Sequence, residues 1–323
     1  MYAPLLPVKD NRNKKKWIMT ATTPTTDGAK GVTLQPEQEM ETLGSLNAMH
    51  LSSDHNPLGM ACCTAVVCLL LAACDMIDYH PYDVDVSGET GINATHMAEI
   101  ESLCLGKDTI RFIAMGDSQR WYDETEDFVE SANARGDIDF VIHGGDTSDF
   151  GLTDEFMWQR DILNGLDMPY VVLIGNHDYL GTGEEAFAII FGETNFSFIA
   201  GRVKFVCLDT NALENDYSTS IPDFEFMEEE LTSRADEFDK TVVCMHIRPY
   251  VVEFNNNVAS VFEYYVLQYP GIQFCTAAHE HLLQEMDLFG DGIMYYVSDC
   301  MKNRSYYVFT IYSDGYEREV VYF

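Results

Sequence analysis

Basic side chains are scarce in this chain. Its 323 residues carry 19 Lys and Arg against 53 Asp and Glu, a net charge of -34. The imbalance is local: residues 1–73 hold six groups of each sign, so residues 74–323 set 13 basic against 47 acidic groups. A surface of that kind repels a phosphate backbone at long range, which argues against long nucleic acids as partners unless bound metal inverts the local field. Long apolar runs are missing too. The longest spans 13 uncharged residues, 61–73, short of the roughly 18 that a bilayer span requires. Cysteine pairs at C-x-x-C spacing are also lacking, which removes the usual redox and zinc-ribbon patterns. What remains is ample for a core: 46% hydrophobic and 12% aromatic content excludes disordered and fibrous classes.

The charge-balanced start differs from the rest. Residues 1–60 are rich in Thr, Pro, Asn and Lys and keep no sustained period, so they read as an unstructured or untranslated extension. The apolar run 61–73 has the length of a secretory signal core and closes in Leu71-Ala72-Ala73-Cys74. That tetrapeptide resembles the bacterial lipobox, in which the signal is cut before the cysteine and the cysteine takes lipid. Lys14-Lys15-Lys16 stands too far upstream to serve as an ordinary basic flank, and Met49 and Met60 are alternative starts. The resemblance implies an exported, membrane-anchored lipoprotein with Cys74 as lipidation site. Residues 74–106, mixing Asp, Gly, Ser and His without period, would be a tether, and 107–323 the folded domain. Cys62, Cys63, Cys68 and Cys74 fall in the signal. Cys104, Cys207, Cys244, Cys275 and Cys300 read as buried free thiols.

From Thr109 the pattern becomes regular. Apolar runs 110–115, 138–142 and 170–174 read as strands. Residues 124–135 place Phe128, Val129 and Ala132 on one helical face behind an acidic start, and 153–166 reads as a helix capped by Thr153. A helix is expected over 184–191. Gly201-Arg202 between runs 196–200 and 203–208 signals a hairpin. Helices 223–234 and 258–268 then alternate with strands 241–245 and 272–276, before a tail of strand-like runs and turns. An α/β first half gives way to a β-rich second half within one domain.

Three early strands end alike, in Gly116-Asp117, in Gly144-Gly145-Asp146-Thr147-Ser148-Asp149, and in Gly175-Asn176-His177-Asp178. Glycine lets the chain turn at the carboxyl end of a strand, where open α/β sheets keep their ligands. Asp117 to Asp146 is 29 residues and Asp146 to Asn176 is 30, about one strand-helix-strand unit each. Neighbouring strands would therefore deliver oxygen and nitrogen donors to one sheet edge, with Asp146 bridging two ions. Strand 241–245 ends in His246. Strand 272–276 leads into His279-Glu280-His281, whose alternate positions point one way.

In this order these motifs resemble the five motifs of the calcineurin-like metallophosphoesterase family, over about residues 109–298. The resemblance implies an α/β (α+β) fold of four layers, αββα, in which two mixed β-sheets are flanked by helices. It also implies a phosphoester hydrolase with two divalent transition-metal ions. Residue by residue it puts Asp117 and His281 on one ion, Asn176, His246 and His279 on the other, and Asp146 between them. His177, oriented by Asp149, would act at the phosphoryl group. The chemistry asks for the same groups. Two cations roughly 3.5–4 Å apart bind phosphoryl oxygens and acidify a water, giving a metal-bound hydroxide as nucleophile. Mixed N/O ligation suits Mn, Fe or Zn, and a His kept off the metals can hand a proton to the leaving oxygen.

Three departures qualify the pattern. No Tyr stands three residues after Asp146, the position being Asp149, so the purple acid phosphatase pattern is not met. Gln119 stands where the family usually has the His of Asp-x-His, and is expected to ligate weakly or to hold a water. Ala278 stands where the last motif usually has Gly. Arg120 and Arg248, each beside a ligand position, are candidates for gripping substrate phosphate. The sequence thus reads as a phosphoesterase for a small phosphodiester or phosphomonoester. The alternative is a catalytically weakened, metal-binding surface lipoprotein that acts as a binding module.

Overall fold

The computed structural model describes residues 80–323. The extension 1–60, the apolar run 61–73, Cys74 and the first residues of the expected tether lie outside the described residues. Among those described, no helix is long and apolar enough to cross a membrane.

Two mixed sheets form the centre. β1 (Ile110–Met115), β2 (Phe140–His143) and β3 (Tyr170–Val172) run parallel, and the C-terminal strands β10 (Ser305–Tyr312) and β11 (Gly315–Tyr322) add to β1 antiparallel, giving the order β11-β10-β1-β2-β3. The second sheet is built from β4 (Phe196–Ala200), β5 (Val203–Leu208), β6 (Lys240–Met245), β7 (Ile272–Ala277), β8 (Gln284–Asp287) and β9 (Met294–Val297), in the order β4-β5-β6-β7-β9-β8. The expected hairpin at Gly201-Arg202 is there, with Ala200 opposite Val203. Apart from Arg111 and His143, strands β1 and β2 are apolar on both faces because both faces are covered. Phe112 shows why: it stacks on Phe140 and Phe309 at 5.4 and 5.3 Å and meets Phe205 of the other sheet edge-on at 5.1 Å.

Helices cover the outer faces and complete four layers. α2 (Tyr122–Arg135), α3 (Thr153–Leu163) and α4 (Gly183–Ile190) pack on the first sheet through Phe128, Phe156 and Phe187, while α5 (Phe224–Glu230) and α6 (Ala259–Val266) pack on the second through Met227 and Phe262. All five described cysteines are buried and free, as expected.

Two local expectations fail. Residues 92–104, inside the stretch read as tether, form helix α1 (Ile92–Cys104), whose Ile100 and Cys104 join the core between the sheets. The Asn93 side chain pairs with the backbone N–H and carbonyl of Val172 at 2.9 and 2.8 Å, closing the otherwise open edge at β3. Polar residues dilute the apolar spacing of this helix, which is why no period was visible. Thr153 is the first residue of α3 and not its cap; its hydroxyl bonds Asp83 O at 3.1 Å. The cap comes from Glu155, whose carboxylate accepts from the N–H groups of Asp149, Phe150 and Leu152 at 3.2, 2.9 and 3.2 Å.

Candidate metal centre and active site

Every ligand candidate sits just beyond the carboxyl end of a strand, and the strand order brings them together. Asp117 follows β1, Asp146 follows β2, Asn176 follows β3, His246 follows β6, and His279 and His281 follow β7. The loops that carry them are tightly turned. Asp117, Gln119, Asp146, His279 and His281 all have positive φ, between 29° and 76°, an arrangement that costs on the order of 1–3 kcal/mol per residue and gathers at functional sites. Glycine allows the loops to close. A Cβ on Gly175 would lie 2.2 Å from Asp146 N and Oδ1, and one on Gly145 would lie 2.7 Å from His246 Nδ1. Ala278 fits because Gly116 and Gly144, which a side chain would bring to about its own Cβ at 2.9 and 3.0 Å, have none.

The donors converge on Asp146. Ligand atoms of Asp146, His246 and His279 lie within 4.8 Å of one another, and so do those of Asp117, Asp146 and His281. Asn176 completes the first group: its Oδ1 is 3.1 Å from His246 Nε2 and 2.8 Å from His279 Nδ1. The His246 ring donates Nδ1–H to Gly144 O at 2.7 Å, which turns Nε2 toward Asn176 Oδ1 at 3.1 Å and Asp146 Oδ1 at 3.3 Å. Asp117 presents Oδ2 to the His279 N–H at 2.9 Å, while its buried Oδ1 has no hydrogen-bond donor and faces His281 Nε2 at 3.4 Å.

Burial alone would push His246 down, but Asp146, with Asp117 behind it, holds it up to about 9. Burial would likewise raise Asp146, and His246 outweighs that and brings it to about 2. Asp117 raises His281; burial and then His246 lower His279. A pocket that crowds carboxylate and amide oxygens together with imidazole nitrogens calls for positive charge at its centre, and the buried Asp117 Oδ1 without a hydrogen bond calls for it again. The residues present therefore fit divalent cations.

Other candidates are placed differently from expectation. Gln119 is buried, and its amide Nε2 donates to Asp146 Oδ2 at 2.9 Å, so it orients the central carboxylate. The Asp149 carboxylate pairs with Arg120. It is the Asp149 carbonyl that accepts His177 Nδ1–H, at 2.8 Å, with the carboxylate 3.7 Å away. Arg248 is spent on Glu280, through Nε at 2.6 Å and Nη2 at 2.9 Å. Arg120 is held through a single nitrogen and keeps 58% of its side chain exposed.

Two residues that organise the loops had no role assigned from the sequence, although Asp178 closes the third motif. The buried Asp178 carboxylate accepts from the backbone N–H groups of Asp146, Thr147, Ser148 and Gly175, between 2.8 and 3.3 Å, and so ties the second motif to the third. Burial, then Asp146, raises it to about 6. His143 joins the first motif to the second, with Nε2 on the Ser118 hydroxyl at 2.8 Å and Nδ1 accepting Gly145 N–H at 3.2 Å. Burial holds it neutral, down to about 3.

The chain matches the calcineurin-like phosphoesterase family over residues 110–283, a stretch that carries every ligand candidate named above. It belongs to that family. Among solved structures, this phosphoesterase is similar in fold to the purple acid phosphatase PPD1 from yellow lupin (Lupinus luteus) seeds, at 14% identity and a TM-score of 0.51, over 67% of this chain and 52% of the lupin chain. It is equally similar to GAP50, the anchor in the inner membrane complex of Plasmodium, at 12% identity and a TM-score of 0.50, over 67% of this chain and 85% of the other. The chain thus spans about half the length of the lupin enzyme. No curated protein matches it in sequence. Membership makes the chain a metal-dependent phosphoester hydrolase, and the Asp and His groups around Asp146 are its candidate metal ligands.

Proposed function

We propose that this phosphoesterase hydrolyses a small phosphodiester or phosphomonoester with two divalent transition-metal ions, Mn, Fe or Zn, that share Asp146. The observation that carries the reading is that two groups of donor atoms, each within 4.8 Å, have Asp146 in common. Asn176, His246 and His279 would hold one ion, and Asp117 and His281 the other. When bound, such ions supply Lewis acidity to the phosphoryl oxygens and lower the pKa of a water.

The chain's own groups do the rest. The carbonyl of Gly144 keeps the His246 lone pair directed inward, and Gln119 holds the Asp146 carboxylate in place. His177, about one-third open to solvent, spends Nδ1–H on the Asp149 carbonyl, so Nε2 is the atom that passes a proton to the departing oxygen. Arg248 is engaged by Glu280 through two nitrogens and Arg120 by Asp149 through one, so the metals would be the main anchors of the phosphoryl group.

We also propose that the protein is exported and anchored to a membrane through lipid on Cys74. Support for this comes from the apolar run and its closing Leu-Ala-Ala-Cys, and mass spectrometry of the residue at position 74 tests it. A second reading, a weakened enzyme kept as a binding module, draws on Gln119, which directs an N–H toward the site where an imidazole would offer a lone pair. Metal analysis of the purified protein, with turnover of bis-p-nitrophenyl phosphate and p-nitrophenyl phosphate in Mn, separates the readings. Two ions per chain with turnover supports the hydrolase and ranks diester against monoester. Two ions without turnover favours the binding module, and fewer than two sinks the dinuclear reading.

A further inference from the structure

Outside the motifs, one side chain touches a ligand candidate in a way that the function described so far does not use. Glu253 lies on the loop between β6 and α6, and its Oε2 is 3.3 Å from His279 Nε2. The other nitrogen of that ring, Nδ1, is 2.8 Å from Asn176 Oδ1. An imidazole that ligates a metal is neutral, and a neutral ring has one N–H for these two oxygen neighbours. With the proton on Nδ1, the Nε2 lone pair would face a carboxylate, which is repulsive. With it on Nε2, Glu253 accepts a hydrogen bond, and the Nδ1 lone pair turns toward Asn176 Oδ1 and the shared donor pocket.

The loop is built to hold Glu253 there. Phe254, next in sequence, is buried and meets Phe262 of α6 edge-on at 5.5 Å. Asn256 closes the loop on itself, accepting from Tyr250 N–H at 2.8 Å and donating to Val251 O at 2.7 Å. Upstream, Ile247 is buried and its N–H is held by the Thr210 hydroxyl at 2.9 Å. Glu253 itself stays partly open, with 30% of its side chain exposed, and it is not among the atoms that converge on Asp146.

We propose that Glu253 is a positioning residue for the ion held by Asn176, His246 and His279: it fixes the tautomer and ring orientation of His279 and makes Nδ1 a stronger donor. The two rings of that group are then set by two different outer acceptors, a backbone carbonyl for His246 and a carboxylate for His279. Partners of this kind change metal affinity by about 10–100-fold. The inference rests on the metal reading above, and its test reads metal binding directly.

The experiment uses the full-length protein stripped with chelator and titrated with Mn²⁺ alone, for wild type, Glu253→Ala, Glu253→Gln and Glu253→Asp. Glu253→Ala is expected to weaken one of the two Mn²⁺ sites by about 10–100-fold and leave the other near wild type. Glu253→Gln, which keeps an acceptor but loses the charge, should fall between, and Glu253→Asp should retain part of the affinity. Thermal unfolding of the metal-free variants should match wild type, and turnover lost at limiting Mn²⁺ should return at saturating Mn²⁺. Wild-type affinity at both sites in Glu253→Ala overturns the proposal and leaves the hydrolase intact. A metal-free variant that is destabilised, with turnover not restored by Mn²⁺, makes Glu253 structural and also overturns it. Wild type that binds no Mn²⁺ removes the metal reading and this inference together.

Discussion

His246 and Asp146 are joined at 3.3 Å, Nε2 to Oδ1, both fully buried, with His246 locked from behind by the Gly144 carbonyl at 2.7 Å. In the metal-free protein a proton on His246 balances the carboxylate, and a divalent cation between them would take over that role.

Asp146→Asn follows from this relationship. It removes the charge that both donor groups share, so metal content should fall from two ions per chain and turnover should drop by about 100-fold or more, beyond the loss typical of an outer partner. Elemental analysis beside the turnover assay checks both. Wild type, in turn, should melt higher with metal than after chelation, by the equivalent of about 2.7 kcal/mol at a free metal concentration 100 times Kd.

Gln119→His tests what the departure at that position does. Gln119 now gives an N–H to Asp146 Oδ2 at 2.9 Å. An imidazole there would add a ligand beside Asp117 and His281. Tighter binding of one Mn²⁺, with turnover unchanged or higher, is the expected result in a titration; unchanged affinity would show that the position lies outside the metal's reach.

His177→Ala should leave metal content intact, since the ring is held by the Asp149 carbonyl and is not in either donor group. Its loss should slow substrates with alkoxide leaving groups by about 10²–10⁴-fold and p-nitrophenyl esters far less, because p-nitrophenolate departs without a proton. Equal slowing of both kinds would deny His177 a proton-transfer role.

Arg248→Ala and Arg120→Ala should leave KM near wild type. Each guanidinium is engaged by a carboxylate, Glu280 or Asp149. A several-fold rise in KM in either variant would return that arginine to the substrate site.

Glu263 gives a pH dependence away from the active site. It is buried, accepts Tyr295 O–H at 2.5 Å, and is raised by burial, with Asp291 and Asp287 adding to this, to about 7 from an ordinary 4.5. A folded pKa above the unfolded one means that the folded state holds the proton more tightly. This contribution is complete below pH 4.5 and is lost as pH rises through 7. Metal-free Glu263→Gln should therefore gain stability relative to wild type as pH rises from 4.5 to 8 in thermal unfolding. Parallel curves would exclude the effect.

Much of this was legible in the chain. The alternation of short apolar runs with amphipathic helices gave an α/β first half and a β-rich second half, because strands covered on both faces are largely apolar and helices on a sheet are not; the four layers came from the family resemblance. Gly-Asp, Gly-Asn-His-Asp and His-x-His after such runs marked the site, because glycine and the strand ends dictate where polar ligands can gather. Helix α1 is not legible in the sequence because the sheet edges it packs on, β3 and β4, lie 79 and 98 residues away at the contacts of Asn93 with Val172 and Glu101 with Ile199.

What the sequence determined by itself was the identity and order of the donors, since strand periodicity and spacing are local properties. What only the tertiary structure decided was how the polar side chains divide their hydrogen bonds. Glu155 took the cap from Thr153, the Asp149 carbonyl took His177 from its own carboxylate, Glu280 took Arg248, and Glu253 came to face His279. Each choice depends on which groups are within about 3 Å after burial has removed water as a competitor, and no local spacing encodes that.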